Sequence, residues 1–226
     1  MAIYKYIFSL LLIVTSFVTL AQDEDLYVQD KPKDTLHFYG FKIGVNVWRF
    51  ADFQFKPERF SYEASFDFNI SHKYFGVIEG GHSEINLDKE NFNYTLNGNF
   101  LKLGMDYNML KKQPTDFLGA GLRFAWAGFK HSADEVFIND DHWGNYSTSI
   151  DEKNYNMYWL EVSMGIKGEI FKNIYLGWAA IAKVRVSGGK DALFQPYDIP
   201  GFGNGKNSIN LGINYYIYYQ IPFNRK

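Results

Sequence analysis

From residue 37 onward the chain alternates apolar and polar residues with a period of two, and this constrains its fold more than any other feature. Phe41, Ile43, Val45 and Val47 alternate with Lys42, Gly44 and Asn46, and Tyr62 to Ile70 with Glu63, Ser65, Asp67 and Asn69. Leu101 to Met109 oppose Lys102, Gly104, Asp106 and Asn108, and Leu118 to Trp126 oppose Gly119, Gly121 and Arg123. Tyr158 to Ile166 face away from Trp159, Glu161, Ser163, Gly165 and Lys167. Ile174 to Val186 face away from Tyr175, Gly177, Lys183 and Arg185, and Ile209 to Ile221 from Asn210, Gly212, Asn214 and Gln220. Successive side chains of a strand point to opposite faces, so each run reads as a strand with one apolar face. In Tyr74 to Leu87 the residues Val77, Ile78, Glu79 and His82 leave the facing open. The pattern predicts eight strands and no convincing helix.

The connections alternate in length. Ser71-His72-Lys73, Lys111 to Asp116 and Phe171-Lys172-Asn173 are short. The segments around Lys56-Pro57-Glu58, from Lys130 to Lys153 and from Gly188 to Asn207 read as long loops, and a turn falls at Asp88 to Asn91. An up-and-down barrel with one periplasmic and one external rim has this asymmetry, and an even strand number puts both termini on the short-turn side.

A soluble barrel alternates too, with the faces reversed. Here the polar face is rich in glycine, which weakens an exposed strand but makes room in a narrow eight-stranded lumen. That face carries Lys42, Lys102, Arg123, Lys167, Lys183 and Arg185 against Glu63, Asp67, Asp106, Glu161 and Glu169, with Glu79 joining if its strand faces that way. Near balance of charge predicts a paired internal network, because an unpaired buried charge costs several kcal/mol. Aromatic residues make up 19% of the chain and cluster near strand ends, as membrane-interface girdles require. The expected fold class is all-β: an eight-stranded antiparallel up-and-down transmembrane β-barrel over residues 37–226.

Residues 1–21 read as a cleaved secretory signal: Lys5, an apolar run from Ile7 to Leu20, and Thr19-Leu20-Ala21 before Gln22. The run is about 14 residues, short of the roughly 17 to 25 of a spanning helix. Residues 22–36, with Asp30-Lys31-Pro32-Lys33-Asp34, read as a flexible periplasmic lead-in. The absence of cysteine excludes disulfides, thiolate metal sites and a lipid anchor. A mean hydropathy of −0.27 excludes a bundle of membrane helices, and a net charge of −2 gives no reason to expect nucleic acid.

Asn210, Gly212, Tyr215 and Ile217 fit the spacing polar, x, Gly, x, x, aromatic, x, hydrophobic. The segment resembles the C-terminal signal by which outer-membrane barrels are recognised by their assembly machinery. The whole chain resembles the eight-stranded outer-membrane barrels of Gram-negative bacteria, and its Ala21-Gln22 junction and Tyr- and Asn-rich strands resemble those of the Bacteroidota. Within that group it is similar to an uncharacterised barrel family, the domain of unknown function 6048, which has no settled activity to carry over.

Other motifs point to weaker chemistry. His82-Ser83-Glu84 holds the residue types of a hydrolase triad, but adjacent strand residues face opposite ways, so Ser83 cannot join the other two. Asp134, Glu135, Asp140, Asp141 and His142 lack the ligand spacing and central glycine of a calcium loop and read as a solvated acidic loop. Trp143, Tyr146 and Phe194 to Tyr197 are loop aromatics suited to a partner, lipopolysaccharide sugars or interface anchoring. Gly201 to Lys206 precedes a strand rather than a helix and is no phosphate loop. The expected protein is a non-enzymatic outer-membrane barrel without catalytic residues, metal or cofactor. Its expected lumen is plugged and polar, and its expected partners are membrane lipids, the assembly machinery and an envelope protein. A lipid-modifying enzyme working at the outer rim and a soluble periplasmic ligand-binding barrel are the rival readings.

Overall fold

The computed structural model describes residues 40–55, 57–71, 73–89, 92–110, 115–140, 144–189 and 195–222. The signal segment 1–21 and lead-in 22–36 lie outside these residues. The described chain runs β1 (Gly40–Asn46), α1 (Val47–Phe55), β2 (Arg59–Asn69), β3 (Tyr74–Lys89), β4 (Phe92–Asn108), β5 (Phe117–Asp140), β6 (Gly144–Phe171) and β7 (Ile174–Gly188). It ends with β8 (Asp198–Ile199), β9 (Gly203–Asn204) and β10 (Ile209–Pro222). Eight of the strands close a barrel in the order β1, β10, β7, β6, β5, β4, β3, β2, every pair antiparallel, while β8 and β9 form a small separate hairpin. Gly40 pairs with Pro222, so both ends of the barrel lie at the rim where the short turns lie.

Facing follows the sequence pattern. Leu103, Leu122, Val162 and Ile213 point outward at 51 to 57% exposure, whereas Glu63, Lys102, Asp106 and Glu161 point inward at 2% or less. The ambiguous strand β3 resolves with Phe75, Val77, Glu79 and Ser83 inside and Ile78 outside.

Three expectations need correction. Residues 47–55 form a helix: the buried Asn46 side chain accepts the Trp48 N–H at 3.1 Å, an N-cap that turns the chain out of β1. Lys130 to Lys153 is not a long loop, because β5 and β6 stay paired to Asp140 and Gly144 across register shifts near Ala133. More aromatics than Trp159 and Tyr175, which parity already placed inside, enter the lumen: Phe75, Tyr94, Phe100, Phe117, Phe129, Phe202, Tyr216 and Tyr218 are buried too.

The outer apolar face ends together on neighbouring strands. Leu101 pairs with Trp126, and Trp126 with Tyr158. The next outward-facing set is Asn99, Gly128 and Asn156, where Asn156 accepts the Trp126 indole N–H at 3.1 Å.

Candidate functional site

The middle of the lumen holds one connected ionic network. Lys102 Nζ sits 2.7 Å from Glu63 Oε1, 3.1 Å from Glu79 Oε2 and 3.6 Å from Glu161 Oε2. Arg123 reaches Glu79 at 3.0 Å and Asp106 at 3.1 Å, and donates to Ser163 Oγ at 2.7 Å. Lys167 bridges Asp106 at 3.1 Å and Asp67, which also accepts from Ser65. Since β6 and β2 lie across the ring from each other, the Lys167 to Asp67 pair ties opposite walls together. Glu63 also accepts from Tyr216 at 2.8 Å and from Arg49 of α1 at 3.2 Å, and Glu161 accepts the Trp159 indole N–H at 2.8 Å.

This arrangement requires small residues beside large ones. A Cβ on Gly121 would lie 2.0 Å from Asp106 Oδ1 and 2.6 Å from Arg123, and one on Gly44 would lie 2.4 Å from the Tyr218 ring. The voids that remain in the lower lumen measure about 20 and about 10 Å³, room for about one water molecule each.

Glu63, Asp67, Lys102, Asp106, Arg123, Glu161 and Lys167 therefore meet as the sequence predicts. Lys42 is buried but donates to the Thr115 carbonyl and lies 4.1 Å from the Tyr175 ring centre. Lys183 is buried and donates to the Gly201 carbonyl at 2.6 Å. Glu169 does not belong to the network. It sits exposed at the short-turn rim, beside an irregularity in the β6–β7 register, and accepts the Asn173 N–H at 2.8 Å. Arg185 also departs: half-buried, it donates to the Gly205 carbonyl and lies 5.4 Å from the Phe202 ring. Arg49, Tyr216, Trp159 and Ser163 were not read as network members, although Trp159 and Ser163 share parity with Glu161 and Lys167 on β6, and Tyr216 with Asn214 and Gln220 on β10, which was the signal available.

Above the ionic layer the lumen is apolar along β3 to β6. Ile85, Tyr94, Leu96, Phe100, Phe129, Met157 and Trp159 form a buried cluster, into which Ile199 and Phe202 of the β8–β9 hairpin insert at 1% exposure. Phe202 meets Trp159 with centroids 5.7 Å apart. Arg59 pairs with Asp198 at 2.8 Å, and Tyr94 accepts the Tyr197 N–H at 3.2 Å, fastening the hairpin to the wall. Burial pushes the Tyr94 hydroxyl above the usual tyrosine pKa, so it stays protonated. The stretch read as a long loop is thus a plug.

The other motifs stay dispersed. His82 Nδ1 lies 2.9 Å from Asn99 Oδ1, Glu84 accepts from Asn86 at 3.0 Å, and Ser83 faces the lumen. Asp134 is exposed; Asp141, His142, Trp143 and Phe194 lie outside the described residues, as do the side chains of Glu135, Asp140 and Tyr146. Among the described residues no three His, Asp or Glu side chains are grouped to hold a metal ion. In the insertion-signal segment, Tyr215 and Ile217 point outward, and Asn210 and Gly212 are half-buried.

Fold and interior together define a small closed β-barrel whose lumen is filled by paired charges below and an apolar plug above. The family described as Domain of unknown function (DUF6048) matches residues 3–226, and the chain belongs to it. No curated protein matches the chain.

Proposed function

We propose that this is a non-enzymatic integral outer-membrane protein of a Gram-negative envelope, acting as a structural, adhesive or accessory component through its wall and outer rim. The observation that carries the reading is the uncharged outer belt around a charged lumen. On β4 the belt runs from Leu101 to Met109. At about 3.3 Å per residue and a tilt of about 40°, that is roughly 20 Å, close to the ~25 Å apolar band of membrane barrels. In water this surface would be an apolar patch far larger than soluble monomers carry.

In this reading both chain ends are periplasmic, α1 and the extended hairpins face outward, and β10 carries the signal read by the assembly machinery. Residues 1–21 would direct export. The filled lumen supports a role other than open-pore transport, and His82 and Glu84 each engage a neighbouring Asn rather than one another. Cell fractionation tests the proposal. The protein is expected in the outer-membrane fraction, released only by detergent; recovery from the soluble periplasm would refute it.

A further inference from the structure

The barrel wall has a side window. β1 pairs with β10 only up to Asn46 and Tyr216, and with β2 only up to Val45 and Ala64. Beyond those points Ile209 to Tyr215 of β10 pair only with β7, and Arg59 to Glu63 of β2 only with β3. Alternate backbone N–H and C=O groups along both stretches therefore point into the gap. α1 packs against both strands where β1 is missing.

Behind the window lies a cavity of about 200 Å³, lined by Arg49, Arg59, Lys183, Ser61, Ser83 and Asn214 among others. Its lining carries three cations and one carboxylate, Asp198, which Arg59 engages, while Arg49 also reaches Glu63 at 3.2 Å and Lys183 the Gly201 carbonyl at 2.6 Å. Ser61, Ser83 and Asn214 are 4, 7 and 5% exposed, and their side chains have no hydrogen-bond partner among the described residues. They line the open cavity, and their hydroxyl and amide N–H groups are placed to donate to a ligand that brings acceptor oxygens. On the outer wall a second, apolar groove of about 670 Å³ runs over Ala180 and Ala182, flanked by Val162 and Met164. Trp48, Leu211, Gly212 and Ile213 line both spaces. A cationic, donor-rich chamber thus opens beside an acyl-sized apolar groove.

We infer that this window binds a phosphate-bearing lipid, its head group among Arg49, Lys183, Ser61, Ser83 and Asn214 and an acyl chain along the Ala180–Ala182 groove. A free anion would leave the groove unused. A neutral lipid or the wall of a second copy would bring no anion to a lining that holds three cations and one carboxylate.

The inference rests on the membrane reading but is tested separately from it. The purified chain in dodecylmaltoside micelles is titrated with dioleoyl phosphatidic acid, and the complex is counted by native mass spectrometry. One lipid per chain is expected. Dioleoylglycerol and inorganic phosphate are expected to be retained at least tenfold less. Arg49→Gln, which removes a head-group donor, and Ala182→Trp, which fills the groove and keeps every charge, should each lower retention about tenfold. Lys130→Gln on the far outer wall should leave it unchanged. A cold-versus-boiled gel shift confirms that each variant is folded, and a variant that fails it is replaced by Asn214→Leu or Ala180→Trp, with the same expectation. Equal retention of dioleoylglycerol, occupancy by inorganic phosphate, a lipid-free dimer, no bound lipid, or insensitivity to both substitutions would each overturn the inference. Flotation with phosphatidylcholine vesicles separates the two readings. A chain that inserts but retains no phosphatidic acid loses the site alone, and one that stays soluble yet retains it loses the membrane reading alone.

Discussion

Lys102→Met should destabilise the barrel by an amount that its partners make calculable. The ammonium is 1% exposed and is shared by Glu63, Glu79 and Glu161. After the substitution Glu63 keeps Arg49 and Tyr216, and Glu79 keeps Arg123. Glu161 loses its ion-pair partner and keeps the Trp159 indole N–H and the charge of Lys183, its cross-strand neighbour, so the largest loss of compensation falls there. Breaking a buried pair on one side costs about 3 to 5 kcal/mol, a large part of the roughly 5 to 15 kcal/mol that holds a typical domain together. Glu161→Gln in the Lys102→Met background removes that stranded charge and should restore about 2 kcal/mol, within the ~0.5 to 3 kcal/mol coupling of residues in contact. Urea unfolding in micelles, followed by tryptophan fluorescence, reads both values, and Trp159 reports from beside the perturbed carboxylate. A single-variant cost below about 1 kcal/mol, or a double variant no more stable than the sum of its parts, would show that the carboxylates do not depend on Lys102.

Three further outcomes follow from the packing. Leu103→Arg should abolish insertion into vesicles, scored by flotation, because an outward Arg at the midplane costs roughly 2 to 4 kcal/mol; the inward Asp106→Asn should still insert, with reduced urea stability. Phe202→Ala should cost about 3 to 5 kcal/mol by removing a buried ring from the plug, read as a lower unfolding midpoint together with faster proteolysis between residues 195 and 208. Gly121→Ala should cost about 1 to 3 kcal/mol through overpacking, whereas Gly168→Ala, where a Cβ meets nothing within 4 Å, should leave the unfolding midpoint unchanged.

How much of this was legible in the sequence varied with what each residue's role depends on. Parity along a strand is local information, so the inward facing of Lys102, Asp106, Arg123 and Glu161 could be read directly. It stopped being informative in β3, where Val77 and Phe75 share the inner face with Glu79 and the lumen is partly aromatic. It also faded above Leu101 and Trp126, where the outer face turns polar with Asn97, Asn99 and Asn156 while the inner face turns apolar with Leu96, Phe100 and Phe129, and β5 and β6 were taken for a loop although their backbones stay paired. The helix α1 was hidden because Val47 continues the alternation of β1, and Asn46 serves both as lumen residue and N-cap. The plug could not be read at all: Ile199 and Phe202 are buried by Phe100, Trp159 and other side chains that come from distant strands. Glu169 has the parity of a lumen residue, and only its place at the rim, where a turn N–H competes for it, takes it out.

The central claim is that the apolar wall meets lipid while the lumen excludes it, and two tryptophans on adjacent strands test it most directly. Trp178 points outward from β7 at 45% exposure, and Trp159 of β6 is fully buried in the lumen. Chains retaining one of these tryptophans, with the others changed to Phe, are refolded into vesicles of phosphatidylcholine brominated along its acyl chains. The account predicts strong quenching of Trp178 by the brominated chains, little quenching of Trp159, and little effect of aqueous iodide on either. Quenching of Trp178 by iodide but not by brominated lipid would contradict it.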